Sequence, residues 1–595
     1  MKELEYPFNG REIIENKKRL RRRLLEREGV TYTDKKIAVL GGYTTGDIVQ
    51  VLELFLLDAG IRPVFYESAY NQYYQEAMFP NPALEVFSPD LIYICTSNRN
   101  IDTYPSLDDP ADDIDALLTA QTEKFTAMWD HLAEVYHCPV IQNNFEKPYW
   151  RLMGNRDATD PHGRVSFINR LNAGFAAYAA SHENFYLLDL DYLSGDYGLR
   201  EWSDPFYWHM YKYAVAVPAI PVLSYQTARI IRSIYGKNKK GLVLDLDNTL
   251  WGGVIGDDGP ENIVLGPEEP EGQIYSEFQS YLAQLKKLGI LLNIDSKNDE
   301  ANALAGLKHP DSGLSEEDFI CIRANWEPKD RNFREIADEL NLLPESLVFV
   351  DDNPAERHIV REQIPGVSAP DFDRPCDMIG VIDRSGFFEV TTLSEDDRRR
   401  NDMYRENAGR QRLRASFTDY REYLVSLQMR AEITPFEPLY MARIAQLTNK
   451  SNQFNLTTRR YTQSEIEEIA ADDRYITLCG RLADRFGDNG VVSLAIGRIE
   501  GDVCHIELWL MSCRVLKRNM EYAMMDELVH RLGERGVGRI LGYYLPTAKN
   551  GMVRDFFADM GYTLIASEDS GNTTWELDIR GGYTDKNDVI RTEEA

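Results

Sequence analysis

Leu242-Val243-Leu244-Asp245-Leu246-Asp247-Asn248-Thr249-Leu250 is the stretch on which the reading of this chain turns. A short apolar run of buried-strand type ends in two carboxylates, and a turn follows at once. In an extended backbone, positions i and i+2 face one side, so Asp245 and Asp247 can approach the same ligand. Two carboxylates so close repel, which favours a cation between them or a proton on one of them. Working outward, a second apolar run, 290–294, leads into Asp295-Ser296-Lys297-Asn298. Trp326-Glu327-Pro328-Lys329 comes next, and a third run, 347–350, leads into Asp351-Asp352-Asn353-Pro354. Each strand thus carries acidic or polar residues at its carboxyl end, where open α/β sheets place their ligands.

Carboxylate pair, hydroxyl, lysine and acidic pair, in that order, resemble the four motifs of haloacid-dehalogenase (HAD) type phosphotransferases. The longer strings DLDNTLWGGVIGDDG, RANWEPK and VFVDDNPAER resemble the FkbH-like branch of that superfamily, subfamily IIIC. The resemblance implies that Asp245 attacks phosphorus to form an aspartyl-phosphate, splitting one hard displacement into two easier ones. It makes Asp247 the group that protonates the leaving oxygen and later deprotonates water. Ser296 is to donate to a non-bridging phosphoryl oxygen, and Lys329 to supply positive charge for the nucleophile and phosphate. Hard oxygen ligands with no His or Cys nearby favour Mg²⁺. The expected ligands are Asp245, the backbone carbonyl of Asp247, and Asp352, with Asp351 behind them or sharing the role. Lys297, Asn298 and Asp295 are expected beside the substrate. Asp245 and Ser296 are 51 positions apart, and Ser296 and Lys329 are 33 apart, which leaves no room for a sizeable inserted cap domain.

Relatives of this branch are associated with moving a glyceryl group from a phosphorylated glycerate to a carrier-protein thiol, through a cysteine in a CSKN string. Here Asp295 stands in that place, and a carboxylate cannot form the thioester. The expected activity is therefore Mg²⁺-dependent phosphohydrolase or phosphotransferase chemistry through Asp245, in a secondary-metabolite or polysaccharide pathway. One alternative is glyceryl transfer to a carrier-protein thiol without the cysteine. Another is a non-catalytic scaffold that binds a carrier or partner enzyme.

Upstream, apolar 37–40, the turn Gly41-Gly42-Tyr43-Thr44-Thr45-Gly46, a helix over 48–57 and a strand at 63–66 follow the grammar of a parallel α/β sheet. KIAVLGGYTTGD resembles the start of an SGNH-hydrolase-like domain, with Tyr43 where a nucleophilic serine would sit. Thr44, Asn98 and the pair Asp204/His209 are the candidate relict site residues. The domain is expected to pack or bind rather than catalyse, and His209, among Phe206, Tyr207, Trp208 and Tyr211, is expected to be packed inside. Downstream, QLTNKSNQFNLTTRRYT and LWLMSCRVLKRNMEYAMMDEL resemble a GNAT acetyltransferase-like domain. Lys517 and Asn519 occupy the two glycine positions of its phosphate-binding turn, which blocks close backbone approach, while Arg514, Lys517 and Arg518 remain as attractors of phosphate.

The fold class expected is α/β multidomain: a three-layer SGNH/flavodoxin-like domain, a HAD Rossmann-like parallel sheet without a large cap, and a GNAT-like α+β domain. The boundaries are a helical segment at 1–35, the SGNH-like domain at 36–237, the HAD domain at 238–392, an exposed helical linker at 393–428, the GNAT-like domain at 429–580, and a flexible tail at 581–595. A length of 595 residues exceeds what one core organises, in keeping with several domains. With 66 Lys and Arg against 96 Asp and Glu, the net charge is −30, which argues against nucleic-acid or membrane partners. The partner expected is a small phosphorylated substrate, free or bound to a carrier protein. Seven scattered cysteines without a CxxC pair, and no apolar signal-type run near residue 1, point to a reducing cytoplasmic setting.

Overall fold

The computed structural model describes residues 1–30, 32–451, 453–547 and 549–593. It divides into two compact units, Met1–Ile234 and Tyr235–Ala595. The α/β multidomain class read from the sequence is the class observed. Among the described residues no helix is long and apolar enough to cross a membrane.

The first unit is built on a five-stranded parallel sheet in the order β2-β1-β3-β4-β5. Its strands are β1 (Thr33–Gly41), β2 (Ile61–Glu67), β3 (Leu91–Cys95), β4 (Val140–Asn143) and β5 (Phe185–Leu188). Alternation sends Ala38 and Leu40 into a cluster with Phe125, Trp129 and Phe175, from the helices Ala111–Tyr136 and Arg164–Ser181. The helices Gly10–Leu25, Gly46–Asp58 and Ile220–Ile234 pack on one another. On the first of these Ile13, Leu20 and Leu24 are buried, and the basic residues between them face outward or pair with acids such as Asp47 and Glu53.

The second unit holds two sheets. β6 (Gly241–Leu244), β7 (Leu291–Ser296), β8 (Cys321–Ala324) and β9 (Leu347–Val350) form a parallel sheet in the order β8-β7-β6-β9. Leu242 and Leu244 point to one face, with Ile294 and Phe278; Val243 points to the other, with Phe333 and Ile336. The segment between β6 and β7 carries the helix Pro270–Lys287 and one short turn of helix, so no domain is inserted there. β8 is a strand that the sequence reading passed over, because Cys321–Ala324 offers only four residues without an apolar run.

The last domain is a mixed sheet in the order β16-β17-β15-β14-β13-β12-β10-β18, with β11 pairing β14. These strands are β10 (Arg430–Thr434), β11 (Phe454–Asn455), β12 (Tyr475–Asp484), β13 (Gly487–Glu500), β14 (Val503–Met511), β15 (Arg539–Tyr544), β16 (Thr563–Ser567), β17 (Thr573–Asp578) and β18 (Arg591–Glu593). β14 and β15 run parallel for three residue pairs only, Val503 to His505 against Arg539 to Leu541, and then part. The helix Met520–Glu534 buries Met520, Ala523, Met524, Leu528 and Leu532 against the sheet. Each large side chain there contributes at most about 1.5–3 kcal/mol.

Two expectations are corrected here. The charged stretch around 394–414 is not an exposed connector: the helix Arg400–Arg414 buries Asn401, Met403, Tyr404 and Arg410. Its charges are absorbed by partners, Arg410 meeting Asp484 through two bonds of 2.7 Å. Nor are residues 582–593 frayed. Asp526 accepts from the backbone amides of Lys586 and Asn587, Ile590 is buried, and β18 pairs with β10. A polar tail can dock when its backbone finds partners.

In the loop ahead of the helix Met520–Glu534, Lys517 and Asn519 both adopt left-handed backbone, with φ of 63° and 62°. The glycine-type shape of this turn is kept with side chains in place, at a steric cost of roughly 1 kcal/mol for a residue such as lysine. Lys517→Gly is therefore expected to stabilise the protein by about 0.5–1 kcal/mol, against the usual sign for a lysine-to-glycine change. Urea denaturation of both proteins checks this, and a lowered midpoint for the variant would refute the strain.

Candidate active site

Three neighbouring parallel strands end level with one another, because β6 pairs in register with both β7 and β9. Asp245 follows β6, Ser296 closes β7, and Asp351 and Asp352 follow β9. The helix Lys329–Glu339 adds the fourth group. Its buried residues Lys329, Asn332, Phe333, Ile336 and Ala337 recur at helical spacing, so the face that packs on the sheet also delivers Lys329 to the strand ends. The ammonium of Lys329, 3% exposed, lies 2.9 Å from Asp245 and 2.5 Å from Asp351. Burial opposes its charge, but the two facing carboxylates outweigh burial and hold its pKa above the ordinary value.

Carboxylate oxygens of Asp245, Asp351 and Asp352 all lie within 4.8 Å of one another. Asp351 is fully buried; one oxygen takes Lys329 and the other accepts the backbone amide of Asn353 at 2.9 Å. Burial, then the charge of Asp245, raises the pKa of Asp351, and the same two causes raise that of Asp352. With Asp351 occupied by its own partners, Asp245 and the part-exposed Asp352 are the carboxylates open to a hard cation. The donor set of oxygens only, without sulfur or imidazole, suits Mg²⁺.

The remaining positions are fixed by local bonds. Asp247 accepts from Trp251 Nε1 at 2.9 Å, from the Ile255 amide at 3.1 Å, and from Asn298 Nδ2 at 2.8 Å. Two of these donors share Oδ1 and only Asn298 takes Oδ2, which leaves a lone-pair site on Oδ2 for an acid/base role toward a substrate oxygen. Asn298 thus positions Asp247. Lys297 turns away from the strand ends to a 2.6 Å pair with Glu356 and is 42% exposed. The lysine that bears on Asp295 is Lys329. Two positions were missed by the sequence reading. Asn332, three residues after Lys329 on the same helix face, donates to Asp295 at 3.0 Å and to Asn325 at 2.9 Å. Arg357, buried, donates to the backbone carbonyls of Asp351 and Asp352 at 2.6 and 2.8 Å and so holds the acidic turn. Its signal was present in VFVDDNPAER, one turn after the acids.

Among the described residues no hydrogen bond joins the proposed relict-site side chains to one another. Tyr43 is buried and receives the Cys95 thiol at 3.0 Å. The Thr44 hydroxyl donates to the carbonyl of Tyr211, and the Asn98 amide to the carbonyls of Glu146 and Lys147. Asp204 caps the helix Pro205–Tyr211 by accepting from the Phe206 amide. His209 is exposed rather than packed, because that seven-residue helix buries none of its residues: Phe206, Met210 and Tyr211 are exposed with it. Arg514 and Arg518 in the last domain are both buried and engaged by protein groups, Arg518 with Asp484 at 3.2 Å, so neither lies open on the turn.

Asp295 faces the helix of Lys329, not the side of Ser296, since adjacent strand residues point to opposite faces. One of its oxygens takes Asn332; the other is buried without a hydrogen-bond partner among the described residues. Burial pushes its pKa up to about 8, so it is largely protonated at neutral pH. The folded state then holds this proton more tightly than the unfolded chain, whose value is near 3.8. Stability from this group is greatest at low pH and is lost as pH rises through about 8. In metal-free protein, Asp295→Asn should leave stability near pH 4 little changed and raise it by on the order of 1–3 kcal/mol at pH 9. Denaturation curves at the two pH values decide this; an equal effect at both would overturn the protonated assignment.

Residues 36–232 match the family model for the FkbH N-terminal domain. The chain is also similar to the crystal structure of the N-terminal part of the protein BF1531 from Bacteroides fragilis, which contains a phosphatase domain complexed with Mg. That likeness has 29% identity and a TM-score of 0.58, over 63% of this chain and 99% of the other. A second solved structure, the ribosomal-protein-S18-alanine N-acetyltransferase of Escherichia coli, aligns over 26% of this chain and 97% of its own, with 13% identity and a TM-score of 0.21. No curated protein sequence matches the chain. The first domain of the chain thus matches the FkbH N-terminal domain, and the chain is similar to a solved structure that contains a Mg-complexed phosphatase domain.

Proposed function

We propose that this phosphatase-type enzyme is a Mg²⁺-dependent phosphohydrolase or phosphotransferase in which Asp245 becomes phosphorylated. The observation that carries the reading is Lys329 held between Asp245 and Asp351 at the ends of parallel strands, with Asp352 in reach. Mg²⁺, as bound in the Bacteroides relative, would be held by Asp245 and Asp352 and would neutralise charge on the phosphoryl oxygens. Asp245 supplies the attacking oxygen, oriented by its 2.9 Å contact with Lys329. The phosphorus–oxygen bond to the leaving group breaks as the bond to Asp245 forms, and Asp247 delivers the proton that the departing oxygen needs. Water then attacks the aspartyl-phosphate, giving its proton back to Asp247 and releasing phosphate. Ser296 lies on the strand next to Asp245 and donates to a phosphoryl oxygen.

The substrate class proposed is a small phosphorylated molecule, free or presented by a carrier protein, in a secondary-metabolite or polysaccharide pathway. Short connections between the strands leave the site without an inserted cover, which suits a small phosphorylated group presented by a carrier protein. Asp295 is buried and bonded to Asn332, which supports phosphate release over transfer of an acyl group to this position. Seven free cysteines support a reducing, cytoplasmic setting. The test is a phosphate-release screen over phosphorylated glycerates, sugar phosphates and acyl phosphates. Asp245→Asn should lower turnover of any substrate found by at least about a thousandfold with circular dichroism unchanged. EDTA should abolish turnover, and Mg²⁺ should restore it. Activity retained in Asp245→Asn would remove the aspartyl-phosphate route.

A further inference from the structure

Lys240 sits just before β6, at the end of the sheet opposite Asp245. At about 3.3 Å per residue the two ends are roughly 17 Å apart. A cavity of ≈ 110 Å³ opens there, lined by the amino end of this sheet, the charged segment 396–404 and the last domain. Five cations line it: Lys240, Arg400, Arg443, Arg514 and Lys549. Three carboxylates answer them. Asp397 pairs with Arg400, and Glu345 pairs with Lys549 at 2.6 Å. Asp396 is shared by Arg443 at 2.8 Å and Arg514 at 3.5 Å. Lys240 has no ion pair or side-chain hydrogen bond to a described residue, and Arg443 Nε is buried without an acceptor. Among the described residues the cavity therefore has two cationic side chains more than the carboxylates that answer them, in a chain whose net charge is −30.

Such a surplus is costly unless an anion shares the space, since like charges in a low dielectric repel strongly. Burial, followed by the nearby charges of Arg400, Lys549 and Arg514, pushes the Lys240 ammonium below its ordinary pKa. The residues supply what a tetrahedral dianion needs: a point charge in Lys240, the planar donors of Arg443 and Arg514, and the hydroxyl of Ser512, which also lines the space. We propose that this cavity is a second anion site, which binds a phosphate group, separate from the catalytic end of the same sheet. The site joins the phosphatase sheet to the last domain, so a bound phosphate ties the two together through Lys240 on one side and Arg514 on the other.

Calorimetric titration of the full chain with inorganic phosphate, and in a parallel arm with glycerol 3-phosphate, tests this in the presence of EDTA. Without metal, the three carboxylates around Lys329 repel phosphate, so the heat reports the cavity. Expected is one saturable site, weakened at least about tenfold by Lys240→Met and likewise by Arg514→Gln. Binding of phosphate alone assigns the site to the free ion, and binding of both assigns it to esters as well; either result supports the proposal. Thermal unfolding guards against a folding defect. Lys240→Met should melt no lower than wild type in phosphate-free buffer, because it removes an uncompensated charge, and should lose the upward shift that phosphate gives wild type. No saturable binding up to about 20 mM, binding unchanged in both variants, or a Lys240→Met protein that melts lower without phosphate would each overturn it.

Discussion

The ammonium of Lys329 is shared by two carboxylates that would otherwise repel each other, and the catalytic end of the second unit is arranged around that bond. Asp245 and Asp351 come from strands that neighbour each other in the sheet, so parallel register alone places them together. Taking them out of water without a cation would be prohibitive, and removing one partner of such a buried set typically costs about 3–5 kcal/mol. The lysine in turn depends on a helix whose apolar stripe packs on the sheet. Local helix periodicity, sheet register and buried electrostatics thus all serve one geometry.

Around that bond lies a ring of donors, all uncharged except Arg357. Asn298, Trp251 and the Ile255 amide hold Asp247, Asn332 holds Asp295, and Arg357 holds the turn that carries Asp351 and Asp352. None of these needs to touch a substrate to matter, because catalytic groups are effective only when their orientation is fixed before the reaction begins. Asp295 stands apart. It sits behind Lys329 on the far face of its strand, a neutral acid at ordinary pH rather than another negative charge.

The strand ends were legible in the sequence because they combine two strong local signals, an apolar run and an acidic terminus. Asp245, Asp351 and Lys329 are together for that reason. What the sequence concealed has a different origin. Asn332 acts through a bond to a partner 37 residues away, and nothing in its neighbourhood marks it off from a surface residue, whereas Arg357, six residues from its partner, carried a local signal in VFVDDNPAER that was not read. His209 was misjudged because aromatic neighbours suggest a core, whereas a short helix at the surface can expose them all. The charged stretch near residue 400 was misjudged for the opposite reason: composition reports hydration, yet eight of its charged residues are at least part-buried, among them Arg400 against a carbonyl and Arg410 against a counter-charge.

That stretch acts as a gauge block. The helix Arg400–Arg414 is bonded near its start through Asn401 to the carbonyls of Lys286 and Ile290, and farther along through Arg410 to Asp484. One end therefore grips the phosphatase sheet and the other the last domain. A helix turns by about 100° per residue, so inserting a single residue between these anchors would swing one of them out of reach. A segment that looks like a spacer of arbitrary length is thus among the least tolerant of a change in length, and related chains should vary there by substitution rather than by insertion.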